Sequence, residues 1–446
     1  MLSWTGVTGP ASLERRPAGG KYQPLATVKD GATYTDASID AMTIYQYRVQ
    51  GPSNEVTAGP PPTGYSVAQA TPQAFIEKSH ASQFAKSTAM ELDANGDPAF
   101  LYSVVDPRFA DSSDAELWFL HWDRAHWRWK APVKVADYKV FRDGVSLARD
   151  PAAASTWATV AEFEDHLVLL VSTDDGATWT PRHQITRGEQ AILGRAIALH
   201  GGRVFWTYRA YSQGVYLLSG LLSEEPSRWK AEKAPVPEPM EVGSAASWVT
   251  VAADSQGKPG VVYFGYGPDY NVTAFYWRPG DTQPRKIMDS DGVQNDFHTV
   301  ALTYSGAPKD GPKFLVELNR RKNGSSDPQI WVVRNDGAPL EITGDGGHHS
   351  LNAPFGLVFD SAGRGAALIT RTGGQGDDRC GYPKLARGAA TGPWKTCSPD
   401  NARDHDSNNN ASDGMTLRLA VNEKLYGGWS QSGAGPGQGV LLWREP

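Results

Sequence analysis

From about residue 66 onward, short apolar runs alternate with polar turns, and the alternation itself repeats along the chain. The stretches "AMELDANGDPAFLYSV", "RAIALHGGRVFWTYRAY", "WVTVAADSQGKPGVVYFGY", "FGLVFDSAGRGAALITRT" and "LRLAVNEKLYGGWSQS" each place an apolar run, a turn and a second apolar run in that order. "HTVALTYSGAPKDGPKFLVELN" is the same unit with a longer turn. Short apolar runs separated by polar turns, most of them with Gly, predict β-hairpins. A second, different hairpin follows most of them, as in "LWFLHWDRAHWRWKAPVKV", "TAFYWRPGDTQPRKIM" and "IWVVRNDGAPLEIT". No long stretch carries apolar residues at helical spacing.

Four strands per unit of roughly 45–50 residues is the repeat of a β-propeller blade. Unit starts near Thr88, Val145, Arg195, Trp248, Thr299, Phe355 and Thr416 predict an all-β fold with roughly seven blades over residues 66–446. The last unit shows about three strands, so residues 66–83 are expected to supply its outer strand and hide the sheet edge. Residues 1–59 do not follow this repeat, and Gly59-Pro60-Pro61-Pro62-Thr63-Gly64 has the composition of a stiff linker, placed at 60–65.

In a four-stranded blade, the turns joining strands one and two, and three and four, lie on one face. The loops between strands two and three lie on the other, with the connections between blades. The first set is mostly tight, as in Asp93-Ala94-Asn95-Gly96-Asp97 and Asp254-Ser255-Gln256-Gly257-Lys258. The second is long and polar, as in "VVDPRFADSSDAE", "SDGVQNDFH", "GDGGHHSLNAP" and "TRTGGQGDDRCGY". Binding and catalytic residues concentrate on long loops held by a rigid scaffold, so the site is expected on this second face, around the central channel.

Composition narrows the classes. The 47 glycines, 31 prolines and 15 tryptophans suit many short strands and tight turns. A formal charge of −6 without a basic stripe argues against a nucleic-acid partner. No apolar run approaches the ~18–20 residues that span a bilayer. "MLSWTGVTGP" lacks the apolar segment of a signal peptide. Cys380 and Cys397 flank one predicted hairpin, and a disulfide between them is expected.

Two segments carry family resemblances. "LSWTGV", "ASLERRPAGGKYQPLATV" and "ATYTDASIDAMTIYQYRVQGPSNEVTAG" resemble a fibronectin type III domain without its first strand. The resemblance covers residues 1–59 and implies a partial β-sandwich in a trimmed chain, whose secretion signal would have preceded it. An extracellular location is the matching expectation. Residues 172–179, "STDDGATW", follow the apolar run Leu167–Val171, and Asp-Asp-Gly supplies turn chemistry. Ser172, Asp174, Gly176, Thr178 and Trp179 match the Asp-box, Ser-x-Asp-x-Gly-x-Thr-Trp, and the chain resembles the sialidase-like β-propellers that carry it. The resemblance implies a structural role for Ser172, Asp174, Gly176 and Trp179, not a catalytic one.

The side chains on the loop face suit an acidic glycan. Tyr208, Tyr211, Tyr266 and Tyr270 are candidates for stacking on sugar rings. Arg142, Arg195, Arg209, Arg320, Arg321, Arg371 and Arg403 come from several blades, and guanidinium pairs with carboxylate through two parallel bonds. The sialidase resemblance implies an arginine triad, an acidic acid/base and a Tyr–Glu nucleophile pair, unlike the two-carboxylate scheme. Asp106, Asp111 or Asp114, Glu317, and Tyr382 or Tyr426 are the candidate parts. The Arg-Ile-Pro-type segment that opens that family is missing, and one Asp-box is intact. A polysaccharide lyase needs a base and acid from His and Tyr, with Arg or a metal to neutralise the uronate. His298, His348, His349 and His405 with Arg209 and Tyr211 fit that scheme, His348 being placed with the substrate-binding group. Asp404, Asp406 and Asn408 alternate oxygen ligands as Ca²⁺ loops do; no other cofactor is expected. The expectation is an extracellular, monomeric propeller that processes an acidic polysaccharide or glycoconjugate as a glycoside hydrolase or lyase. The alternative is a non-catalytic propeller that binds glycan or protein as a lectin or adhesion module.

Overall fold

The computed structural model describes all of the chain except residues 1, 4–9, 18–20, 30–32, 35, 37–44, 50–55, 59–67, 70–83, 106–113, 125–127, 140–144, 164–165, 187–191, 194–195, 211–212, 242–248, 269–270, 291–298, 307–310, 320–327, 336–337, 343–355, 370–383, 390–393, 398–410, 421–424, 432–438 and 445–446. The described residues are strands and turns with one 3-10 turn at Pro226–Arg228. Among them, no helix is long and apolar enough to cross a membrane.

Near the N-terminus, Leu2–Ser3 pairs with Thr33–Tyr34. A separate sheet runs in the order Gln23–Val28, Ala11–Pro17, Tyr45–Val49, Val56–Ala58. Leu13, Val28, Tyr47 and Val49 form its small buried core. Asp36 ties it at one side, accepting from Arg15 at 2.7 Å and from the Tyr47 hydroxyl at 3.0 Å.

The rest of the described chain forms seven consecutive antiparallel sheets. Their first two strands are Phe84–Leu92 and Pro98–Val105; Leu147–Arg149 and Trp157–Glu162; Ile197–His200 and Arg203–Ala210; Thr250–Ala253 and Pro259–Tyr266; Thr299–Thr303 and Lys313–Asn319; Gly356–Phe359 and Arg364–Ile369; and Ala411–Leu419 and Leu425–Gln431. Each second strand pairs with a third, and each third with a fourth. In the last sheet the outer strand is Ala68–Gln69, which pairs with Leu441 and Leu442. Residues from the start of the propeller segment thus complete its final sheet.

Strand alternation puts successive side chains on opposite sheet faces, and here both faces are buried. Apolar clusters therefore fill the gaps between neighbouring sheets, one of them spanning the fifth, sixth and seventh. Val160 and Leu167 of the second sheet pack with Trp206 and Leu218 of the third. Phe205 and Leu217 of the third pack with Val251 and Tyr263 of the fourth. Met90 and Phe100 of the first pack with Tyr426 and Leu442 of the seventh, and the Met90 N–H donates to the Thr416 hydroxyl, 326 residues away, at 3.2 Å. A cavity of about 750 Å³ runs down the middle, lined by the first strands of all seven sheets. Sheets arranged radially around such a channel make a β-propeller.

The turn face is built from local chemistry. Asp93 Oδ1 accepts from the backbone of Asn95 and Asp97, each at 2.8 Å, and Asp254 Oδ1 does the same for Gln256 and Lys258 at 2.9 Å. Gly96 and Gly257 supply the positive φ values, 80° and 75°, that these turns require. The Asp93–Asp97 turn is thereby explained without a metal. Between sheets, the buried Asp150 carboxylate accepts from Ala152 and Gly201 at 2.9 Å and from Gly202 at 2.5 Å.

The Ser172–Trp179 hairpin tip closes on itself. Ser172 donates to Asp174 at 2.8 Å and accepts from the Gly176 N–H at 2.9 Å. Asp174 also takes the Thr178 N–H and hydroxyl at 2.9 and 2.6 Å, and the Trp179 indole donates to the Gly176 carbonyl at 3.2 Å. These four side chains shape a turn. Cys397 ends a strand of the sixth sheet, while Cys380 lies outside the described residues.

Candidate functional site

On the loop face, one position recurs along the second strands. Ser103, Glu162, Arg209, Tyr266 and Glu317 occupy it in the first five sheets. They stand opposite Leu117, Leu167, Val215, Val272 and Ile330 of the third strands, all five buried and apolar. Each lies close to the end of its strand, one strand out from the channel.

Alternation also fixes where each side chain goes. Glu162 shares a face with Ala158 and Val160, in the gap between the second and third sheets. Arg209 shares one with Phe205, between the third and fourth. Tyr266 shares one with Val262 and Phe264, between the fourth and fifth. Glu317 follows Leu315 toward the sixth sheet, and Ser103 follows Leu101 toward the second. On each of these strands an apolar residue of the same face precedes the polar one at this edge, as Leu101, Val160, Phe205, Phe264 and Leu315 do.

Burial makes the arrangement chemically specific. Glu162 and Glu317 are 0% exposed and Arg209 is 2% exposed. Removing such charges from water costs several kcal/mol each, by rough Born reasoning, unless polar partners offset it. Burial between neighbouring sheets fixes these charged groups in place.

Of the candidate residues from the sequence, Asp114, Tyr208, Tyr426, Arg209, Tyr266 and Glu317 are described, and Tyr426 is buried in the cluster between the first and seventh sheets. The last three share one edge of the propeller, but Arg209 and Glu317 occupy different gaps. The Tyr266 ring packs against the apolar cluster between the fourth and fifth sheets. Tyr208 points into the opposite gap from Arg209 and stacks on Tyr216, centroids 5.3 Å apart at 11°. Burial raises the pKa of its hydroxyl. Asp106, Arg142, Arg195, Tyr211, Tyr270, His298, Arg320, His348, His349 and Arg371 lie outside the described residues, as do Asp404, Asp406 and Asn408 of the proposed Ca²⁺ loop. Among the described residues, no group of three or more His, Cys, Asp or Glu side chains is arranged to hold a metal ion.

Ser103 and Glu162 escaped the sequence reading. Their signal is present: a polar residue interrupts the apolar run at the same place in "FLYSVV", "WATVAE", "FWTYRA", "VVYFGY" and "FLVEL".

The fold thus defines a β-propeller whose second strands carry buried polar residues near one end. No family model matches the chain, and no curated protein matches it by sequence. Solved structures of similar shape include an α-L-arabinanase from Penicillium chrysogenum complexed with arabinobiose, 12% identical, with a TM-score of 0.45 over 86% of this chain and 98% of that one. A lectin from Burkholderia pseudomallei is 12% identical, with a TM-score of 0.48 over 79% of this chain and 98% of that one. A puromycin-hydrolysing peptidase from Mycobacterium tuberculosis is also 12% identical, with a TM-score of 0.48; 87% of this chain covers 54% of that one. At these values they bear on neither reaction nor ligand.

Proposed function

We propose that this chain is an extracellular, seven-bladed β-propeller over residues 66–446 that recognises a glycan, preferentially an acidic polysaccharide or glycoconjugate, at the loop-face mouth of its channel. The carrying observation is the recurrent position near the loop-face end of the second strands, where Glu162, Arg209 and Glu317 are buried between sheets. Guanidinium pairs with a uronate or sialate carboxylate, and carboxylates accept from sugar hydroxyls. Residues 1–59 are read as a partial fibronectin type III-like sandwich joined through 60–65. The split of that segment into a two-stranded and a four-stranded sheet supports this reading. The bonding of the Ser172–Trp179 tip supports its reading as an Asp-box.

Processing of the glycan is the fuller form of the proposal, with His298, His349, Tyr211, Glu317 and Asp106 as the groups that would move protons or attack. A purely binding role is the second reading. A glycan array on the full chain, followed by product analysis on uronic- and sialic-acid polymers, decides between them. Unsaturated uronate products select a lyase, free sialic acid a hydrolase, and binding without turnover a lectin. Arg209→Met and Glu317→Gln are each expected to weaken binding about 10- to 100-fold, because these buried charges position the strand ends that carry the loops. Unchanged binding in both variants, or no glycan bound at all, refutes the reading.

A further inference from the structure

A second concentration of ionisable side chains lies on the turn face, at the seam between the first and second sheets. His121, in the third strand of the first sheet, is 4% exposed. Its Nδ1 is 3.2 Å from Asp175 Oδ2 and its Nε2 is 3.4 Å from Asp93 Oδ2. Carboxylate oxygens accept hydrogen bonds, and a neutral imidazole has one N–H to offer. Only the imidazolium serves both carboxylates. Lys130 stands beside them, its Nζ 2.7 Å from Asp175 Oδ2 and 3.3 Å from His121 Nδ1.

These contacts define two charge states. With the ring protonated, Nδ1 faces Asp175 Oδ2 at 3.2 Å and Nε2 faces Asp93 Oδ2 at 3.4 Å, as charge contacts rather than aligned hydrogen bonds. With the proton lost from Nδ1, that nitrogen becomes an acceptor, and Lys130 is placed to donate to it. Asp175 then keeps Lys130 and the Trp157 indole, which donates to its Oδ1 at 3.2 Å. Asp175 has φ of 61°, the one positive value among described residues other than glycine. That conformation is strained and persists only while its contacts outweigh the strain. The remaining charges nearby are internally paired: Arg124 holds Asp97 at 2.7 and 2.8 Å, and Asp93 caps its own turn. The Trp157 and Phe119 rings lie 5.7 and 6.0 Å from the imidazole centroid and complete its apolar surroundings.

We propose that His121, Asp93, Asp175 and Lys130 form a proton-operated latch that docks the Ser172–Trp179 hairpin of the second sheet onto the first. It is closed while the imidazole carries its proton and loosened when that proton leaves. Burial alone would lower the imidazole pKa, but Asp175 and Asp93 outweigh it, and the net shift is upward. The latch is therefore fully closed below the ordinary histidine value of about 6.5 and opens as pH rises through the higher folded value. The sensed change is an alkaline one.

Selective ¹³Cε1-histidine labelling of the full chain, with the His121 signal assigned by its loss in His121→Gln, follows the titration directly. The midpoint is expected above the ordinary histidine value of about 6.5, moved further up in Lys130→Met and down in Asp175→Asn. Hydrogen exchange of peptides spanning 172–179, corrected for intrinsic rates, is expected to speed up at least tenfold between pH 6 and pH 9. In His121→Gln that dependence should vanish. A midpoint at or below 6.5, or exchange in 172–179 that is indifferent to pH in the unmodified protein, overturns the latch. If Asp175→Asn fails to fold, Lys130→Met alone still decides, since a fall in the midpoint contradicts the geometry.

Discussion

Gly176→Ala tests the docking of the hairpin tip in the most direct way. Gly176 has φ of 82°, and a Cβ there would overlap the Phe119 ring, reaching 2.5 Å from Cδ1 and 2.8 Å from Cζ. Phe119 is itself wedged between Trp157 and Trp179, each with its ring centroid 5.4 Å away. The ring has little room to yield. The backbone term is roughly 1–2 kcal/mol for a side chain in left-handed space. Forcing a buried ring aside adds roughly 1–3 kcal/mol. The expected loss is therefore about 2–5 kcal/mol. Gly363→Ala is the matched control, because φ is 77° and nothing lies within 4 Å of the added Cβ. It should cost only the backbone term. Urea unfolding followed by tryptophan fluorescence compares the two. Adding Phe119→Leu to Gly176→Ala should recover part of the excess, a coupling that a double-mutant cycle isolates. If Gly176→Ala is no worse than Gly363→Ala, the tip does not pack on the first sheet as described.

Two further outcomes follow from the turn face. Asp150→Ala leaves three backbone N–H donors of two sheets without their acceptor and is expected to cost about 2–4 kcal/mol, with faster hydrogen exchange at Gly201 and Gly202; unchanged exchange there refutes the assignment. Asp93 and Asp175 are both held below the ordinary carboxylate range, since His121, with Lys130 at Asp175, overcomes the opposing effect of burial. Their stabilisation is fully present above about pH 4 and is lost as pH falls through the lower folded values. The unfolding midpoint should thus drop on the acid side, and Asp175→Asn should flatten that drop.

What could be read from the residues was what is local. The Asp-x-x-Gly turns at Asp93 and Asp254 and the Ser172–Trp179 tip need only their own neighbours, so their letters suffice. The gap into which a side chain points needs strand parity and the neighbouring sheet. Tyr208 and Arg209 are adjacent, yet one stacks on Tyr216 and the other enters the next gap. Tyr266 packs against the cluster between the fourth and fifth sheets and stays partly exposed. His121 sat unremarked inside "LWFLHWDR", because its two carboxylates come from turns in different sheets. Glu162 was missed for the same reason: its meaning lies in the equivalence of sheets, not in the letters around it.

The last sheet joins strands from opposite ends of the propeller segment, with Ala68 and Gln69 beside the strand Gly439–Arg444 and Thr416 bonded to Met90. The circle therefore cannot close during early synthesis. Six sheets can form in turn as the chain emerges, but the seam waits for the final strands. Until then Met90 and Phe100 lack the neighbours that cover them. Contacts so distant in sequence are slow to form, so this seam is where a partly made chain stays exposed longest and where a chaperone would find its apolar surface.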